Sequence, residues 1–327
     1  MNNNKNSFSL FLVKRIIRII LIIFVIIFLS FILINLAPGD PIVFIVGDTG
    51  YYTEEYLNNI RISFGLDKPI HIRFLLYILN LLRGNLGYSY IYHIPVIDLI
   101  KARIFPTLIL MGMNIILITI IGIPLGILAS QKPFSKLDMF ISIFSLIGVS
   151  IPVYLLGLIL VQFFSIKLNL FPTQGMYSLR GEITNKFLDL LYHLFLPVLT
   201  LFLVNVGLII RTTRTSMLEV LRSEFIILAK SKGLPEKTIL IKHAFKNAFL
   251  PVLTLIGLQI GWLFAGAVLT ETIFSWPGLG TLLFKSVTSR DYPTIMGIFL
   301  LISVSVTLSN LIVDILYAII DPRIRGA

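Results

Sequence analysis

The sequence predicts an all-α polytopic membrane protein with six transmembrane helices and both termini cytoplasmic. Three observations predict it. Hydrophobic residues make up 57% of the 327 positions and charged residues only 13%, with a mean hydropathy of +0.94; soluble domains carry about 25% charged residues. Six apolar runs approach the roughly 20 residues a helix needs to cross a bilayer core of about 30 Å. The Lys and Arg residues gather on one side of those runs.

The runs are Ile16–Leu36, Leu108–Ala129, Met139–Phe164, Leu190–Ile210, Pro251–Thr270 and Thr294–Ile320. Arg18 and Asp314 are the charges inside them, both near an end, where they avoid the high cost of mid-bilayer charge. With the N-terminus inside, 16 of the 27 basic residues lie in inner segments and 5 in the two short outer loops. That bias sets orientation; long loops translocate regardless of charge. Lys14, Arg15 and Arg18 precede an apolar run too long for a signal core, so the first run reads as an uncleaved anchor. The division expected is an inner N-terminus and anchor over 1–36, an extracytoplasmic segment over 37–105, a five-helix core over 106–320 and a cytoplasmic tail over 321–327.

The net charge of +11 does not read as nucleic-acid binding, because the charges sit at span ends with no basic-aromatic surface. With no Cys there is neither a disulfide nor a thiolate ligand, and the four His are scattered, so no local metal-ligand pair is expected. No Gly-x4-Gly-Lys-Ser/Thr loop is present to cradle a nucleotide. In the outer segment Ala37–Pro41 (APGDP) breaks the first span, and apolar periodicity then predicts two short helices, one around Leu57–Phe64 and one around Phe74–Leu82, on the outer face.

The longest inner loop, 211–250, is ordered in pattern. Gly233 ends one helical stretch and Pro235 suits the first position of the next. Ile241, Ala244, Phe245 and Ala248 form one stripe, expected as an exposed apolar ridge, with Lys242 and Lys246 on another face. Such a helix fits a partner's groove or an anionic lipid surface. On the outer side Trp276-Pro277-Gly278 forces a turn after Glu271, reading either as a hairpin anchored by Trp at the interface or as an outer gate or docking surface for a substrate-loaded binding protein. Asn114, Gln162, Asn205, Gln259, Asn310 and Asp314 are intramembrane polar residues, for packing or for lining a pathway; Asn310 and Asp314, four apart, share a face.

The loop resembles the ATPase-coupling loop of binding-protein-dependent ABC importer permeases, in the oligopeptide, dipeptide and nickel branch, first-permease type with a long outer loop after span one. Ala229, Lys232, Gly233, Leu234, His243, Ala244, Asn247, Ala248 and Pro251 fit that branch's pattern. Ile227 and Leu228 stand where the wider family has Glu and Ala. Leu269–Leu283 (LTETIFSWPGLGTLL), Arg290–Pro293 (RDYP) and Asp321–Arg325 (DPRIR) extend the likeness through the C-terminal third. The resemblance implies a type I permease fold in a prokaryotic plasma membrane and a chain that is not itself an enzyme. It implies that ATP is bound by two ABC ATPase subunits, with no cofactor in this chain. A second homologous permease and an extracytoplasmic substrate-binding protein complete the assembly. Peptide is the implied cargo and nickel or a metal chelate the alternative; an ion-coupled secondary transporter is the reading from another class. Within the loop, Gly233 would supply the turn, Ile241 and Phe245 the grip, and Lys242 and Lys246 the flanking contacts.

Overall fold

In the computed structural model, residues 2–36, 42, 46, 52–178 and 185–320 are described. The Ala37–Pro41 break and the tail with its DPRIR motif lie outside them. Helix α1 (Asn2–Leu36) is a long Ile/Leu/Phe rod. Two short helices follow, α2 (Glu54–Ser63) and α3 (Ile70–Leu82). The Thr53 hydroxyl caps α2 by accepting from Tyr56 N, and Glu54 and Glu55 complement the positive end of its dipole. Apolar α3 lies along α1 through Phe74, whose ring is 5.3 Å from Phe28 and 5.2 Å from Phe31.

Helix α4 (Val96–Gln131) has 36 residues, about 54 Å at 1.5 Å each and far more than a bilayer core demands. It begins ten residues ahead of the expected start of the core at 106, so Asp98, Lys101 and Arg103 ride on a helical extension rather than a loop. Its main neighbour is α7 (Lys186–Leu221), also 36 residues. Ile118 and Ala129 of α4 join Phe202, Val206, Ile209 and Ile210 of α7 in the central apolar cluster.

The third span departs from the straight helix expected over Met139–Phe164. It is two helices, α5 (Lys136–Ser150) and α6 (Val153–Leu160, continued as a π-helix to Lys167), bent by 100°. Pro152 explains the break: a residue before proline avoids the helical region, and Ile151 sits extended at ψ 125°. Hydropathy runs unbroken across this point and conceals it.

The fourth span does not stop at Ile210. Helix α7 continues eleven residues to Leu221 and meets α5 through a two-pronged ion pair, Arg214 Nε to Asp138 Oδ1 at 2.6 Å and Nη2 to Oδ2 at 2.8 Å. After α8 (Glu224–Ser231) the fifth span runs Glu236–Ala265 instead of Pro251–Thr270, through α9 (Glu236–Thr238), a π-helical stretch Ile239–Phe245, α10 (Lys246–Gly261) and a 3₁₀ turn. It ends as the chain turns at Gly266 (φ +68°), leaving Thr270 in the separate helix α11 (Val268–Ile273). Helix α12 (Leu279–Thr288) completes an outer hairpin, and α13 (Tyr292–Ile320) crosses back. Among the described residues five helices are long and apolar enough to span, or six where the bent pair is counted as one span.

Candidate coupling elbow and outer lock

Helix α8 stops because Gly233 adopts φ +73°, a conformation that costs an L side chain roughly 1–2 kcal/mol. Gly233 N donates to Lys230 O at 2.9 Å and Leu234 N to Ala229 O at 3.4 Å, the doubled bond pattern of a glycine-ended helix. Pro235 then caps α9 from one position ahead of the first-turn place expected for it. This elbow folds back on the membrane helices: Ile226, Ala229, Ile239, Ala244 and Ala248 bury against Met217 of α7, with Ile127 of α4 and Phe245 alongside.

The expected single apolar ridge is therefore divided. Ala244 and Ala248 are buried and Phe245 half-buried, while Ile241 is exposed. The cause is the π-helical turn at 239–245, whose i→i+5 bonds widen each turn and break the 3.6-residue register. The exposed apolar residues of the elbow are instead Phe225, Ile227, Leu228, Leu234 and Ile241. Lys230, Lys232, Lys237, Lys242, Lys246 and Asn247 are exposed among them, His243 is half-buried, and the Asn247 amide donates to His243 O at 2.7 Å.

The outer hairpin is built around Glu271, whose side chain is fully buried. Thr107 of α4 donates to Oε1 at 3.0 Å; Thr281 donates to Oε2 through its backbone N at 3.0 Å and through its hydroxyl at 3.3 Å. Gly280 N adds a fourth donor. Thr107 also accepts from Leu279 N at 2.7 Å, so one hydroxyl stitches α4 to both arms. A Cβ at Gly278 would land on the Glu271 carboxyl, which fixes glycine there; Pro277 lies in the turn it closes. Trp276 does not sit at the lipid interface. Its ring is fully enclosed by Leu110, Met111, Leu194, Val198 and Leu201, and its indole N donates to Pro106 O at 2.9 Å.

Burial pushes the Glu271 carboxyl above its ordinary 4.5, against four donors that favour the ion. The fold thus prefers the protonated form; that stabilisation is complete below the ordinary value and is lost as pH rises through the raised one. Glu271→Gln keeps the shape without the proton. The parent's thermal midpoint relative to this variant is expected to fall as pH climbs from about 4 to about 8; a gap constant with pH contradicts the arrangement. Glu271→Leu strands the donors, at about 1–3 kcal/mol for each buried one.

Asn205 and Gln259 are half-buried. Asn310 and Asp314 do share a face: both line a cleft of about 540 Å³ between α1 and α13, with Arg15, Arg18, Ser303, Thr307 and Trp262. Arg15 pairs with Asp314 there. Asn114 is fully buried with neither amide atom bonded within the protein. No three His, Asp or Glu side chains converge among the described residues; His193 is held by Asp189, at 3.1 Å from its Oδ1.

Residue-type reasoning missed three buried aspartates that join distant segments. Asp138 holds Arg214; Asp189 accepts from the N and hydroxyl of Ser178; Asp291 accepts from Tyr90 N at 2.9 Å, Thr294 at 2.7 Å and Ser89. Asp138 and Asp189 stand in the first turn of a helix and Asp291 just before one, the one local signal available.

A bundle of spans with a structured cytoplasmic elbow and a polar-locked outer hairpin defines a polytopic helical membrane protein. Two family models cover most of the sequence. The binding-protein-dependent transport system inner membrane component matches residues 122–326, and the N-terminal membrane component of the same systems matches 8–111. The chain belongs to this family and is a multi-pass protein of the bacterial plasma membrane. It is similar to the probable peptide ABC transporter permease protein y4tP of Sinorhizobium fredii, 39% identical over 97% of this chain and 99% of that one. It is similar at 39% identity to the oligopeptide transport system permease protein AppB of Bacillus subtilis (96% and 99% covered). The dipeptide transport system permease protein DppB of Escherichia coli K12 matches at the same identity (91% and 93%). Among solved structures, the inward-facing MetNI methionine ABC transporter superposes with a TM-score of 0.53 at 16% identity, over 69% of this chain and 97% of that chain, a likeness of fold.

Proposed function

We propose that this chain is the permease subunit through which an ATP-driven importer moves short peptides handed over by an extracytoplasmic binding protein. Full-length similarity to permeases named for peptide, oligopeptide and dipeptide transport supports the cargo. The single structural observation that carries the coupling is the elbow of 222–248. It presents Ile227, Leu228, Leu234 and Ile241 outward among lysines while Ile226, Ala229 and Ile239 tie it to α7 and α4. A groove of about 290 Å³ beside it is lined by Lys132, Arg222, Lys230 and Glu236.

In this reading two ATPase subunits grip the exposed patch and supply the nucleotide chemistry. A second permease chain completes the pore. Force on the elbow reaches α7 and α4 through buried contacts, which makes it a lever rather than a tether. A ligand-driven pump needs binding energy that differs between two global states, and the elbow is where that difference enters.

The test is uptake of radiolabelled trialanine by proteoliposomes holding the whole importer. Ile241→Asp is expected to cut ATP-dependent uptake about tenfold or more, the loss of a single anchor at a partner interface, while the thermal midpoint stays put because Ile241 is exposed. Unchanged uptake sinks the coupling role. Accumulation of radioactive nickel in place of trialanine sinks the cargo assignment.

A further inference from the structure

At the outer ends of α1 and α13 lies a cavity of about 470 Å³ that neither the elbow nor the outer lock uses. It is walled by the outer end of α1 (Phe31, Asn35), by α3 (Arg73, Tyr77, Asn80) and by the start of α13 (Tyr292). Its size falls in the range of small-ligand sites, roughly 300–1,000 Å³. Among the described residues Arg73 is the one charged residue lining it, and no carboxylate lines it. Asp291, one residue before Tyr292, is fully buried and consumed by Ser89, Tyr90 and Thr294.

Two further features separate this cavity from a packing gap. The Tyr77 hydroxyl is buried with no partner in the protein, in a structure where buried polar groups are as a rule bonded. Burial pushes its pKa up to about 12, so it keeps its proton and remains a donor. Facing Arg73, an aromatic wall runs from Phe64 through Tyr90 to Tyr292, with ring centroids 5.0 Å and 6.4 Å apart. A cation and a spare hydroxyl donor beside aromatic faces suit a small anion that carries an apolar body.

We propose that this pocket binds the terminal carboxylate of a short peptide, with Arg73 and Tyr77 holding the carboxylate and Tyr90 and Tyr292 packing on the last side chain. The guanidinium fork matches a carboxylate two bonds at a time. The absence of any acid among the described lining residues disfavours the peptide's amino end. The pocket would give cargo a foothold on the permease between the binding protein and the membrane path, and it rests on the reading of this chain as a peptide permease. A phospholipid phosphate offers related chemistry and is separated from peptide by the test.

The probe is radiolabelled trialanine, measured by equilibrium dialysis against the full chain in phosphatidylcholine nanodiscs. Trialanine is expected to bind and its C-terminal amide to bind about tenfold or more weakly, the loss of a charged hydrogen bond. Arg73→Gln is expected to show the same loss, Arg73→Lys to recover only part of it because the charge stays and the fork is lost, and Tyr77→Phe to fall between parent and Arg73→Gln. Circular dichroism and thermal midpoints check that each variant folds; the acid–amide comparison on the parent and Tyr77→Phe carry the test if Arg73→Gln does not fold. Equal binding of acid and amide, or parental affinity in a folded Arg73→Gln, overturns the proposal. So does loss of trialanine binding in phosphatidylglycerol nanodiscs that excess trialanine does not reverse, which assigns the pocket to a lipid headgroup. Uptake by the reconstituted importer separates the two readings. Normal parental uptake with no carboxylate preference removes the pocket alone, whereas no peptide uptake removes the permease reading.

Discussion

Gly207→Val is expected to leave little or no folded permease. Helices α5 and α7 cross with their backbones in contact: a Cβ at Gly207 would land on the Ser145 carbonyl, and a Cβ at Gly148 on the Leu203 carbonyl. Small residues are what let helices approach this closely in lipid, where van der Waals packing drives association. The atoms in the way are main chain, not the far ends of flexible side chains, so they yield only if the helices separate. Overpacking costs about 1–3 kcal/mol when side chains can shift, and more when they cannot. The crossing also aligns Arg214 with Asp138, so separation would pull apart that ion pair too. Size-exclusion chromatography in detergent is expected to show aggregate in place of a single species. Gly112→Ala is the control: it is helical with nothing within 4 Å of its added carbon, and relief of glycine's flexibility is worth about 0.5–1 kcal/mol. A Gly207→Val protein with parental yield and midpoint would mean the two backbones do not touch.

What the residue order reveals and what it conceals follow from range. The spans, the two outer helices and the Gly233–Pro235 elbow are read from neighbours within a turn or two, and they appear close to where periodicity places them. Span ends are misplaced wherever helices outlast the bilayer. Helix α7 runs on past Ile210 because α5 offers Arg214 a partner, which hydropathy does not register. The stripe at Ile241–Ala248 fails for a related reason: a π-helical turn changes the register on which amphipathic reading depends. The locks are the least legible. Thr107 and Glu271 lie 164 positions apart, and Ser89 and Asp291 lie 202 apart. A lone Glu in an apolar stretch announces cost, not its partner.

Trp276→Ala is expected to cost about 3–5 kcal/mol, the range for emptying a buried aromatic site. The indole fills a cluster shared by α4 and α7, and its N–H answers the Pro106 carbonyl one residue from Thr107. Tryptophan and glutamate therefore fasten the same hairpin to the same turn of α4. If so, the two losses are not independent. Once Trp276 is gone the hairpin is partly released, and Glu271→Leu then removes contacts already weakened. The double variant is expected to lose less than the sum of the single losses, by about 0.5–3 kcal/mol, as groups in one network do. Trp276→Phe, which keeps most of the volume and drops the hydrogen bond, is expected to cost nearer 1–2 kcal/mol. Hydrogen exchange locates the effect: the Leu279, Gly280 and Thr281 amides, bonded to Thr107 and Glu271, are expected to exchange faster in Trp276→Ala while α5 keeps its protection. Strictly additive losses, or unchanged exchange at those three amides, would separate tryptophan from the carboxylate lock and leave it an ordinary core residue.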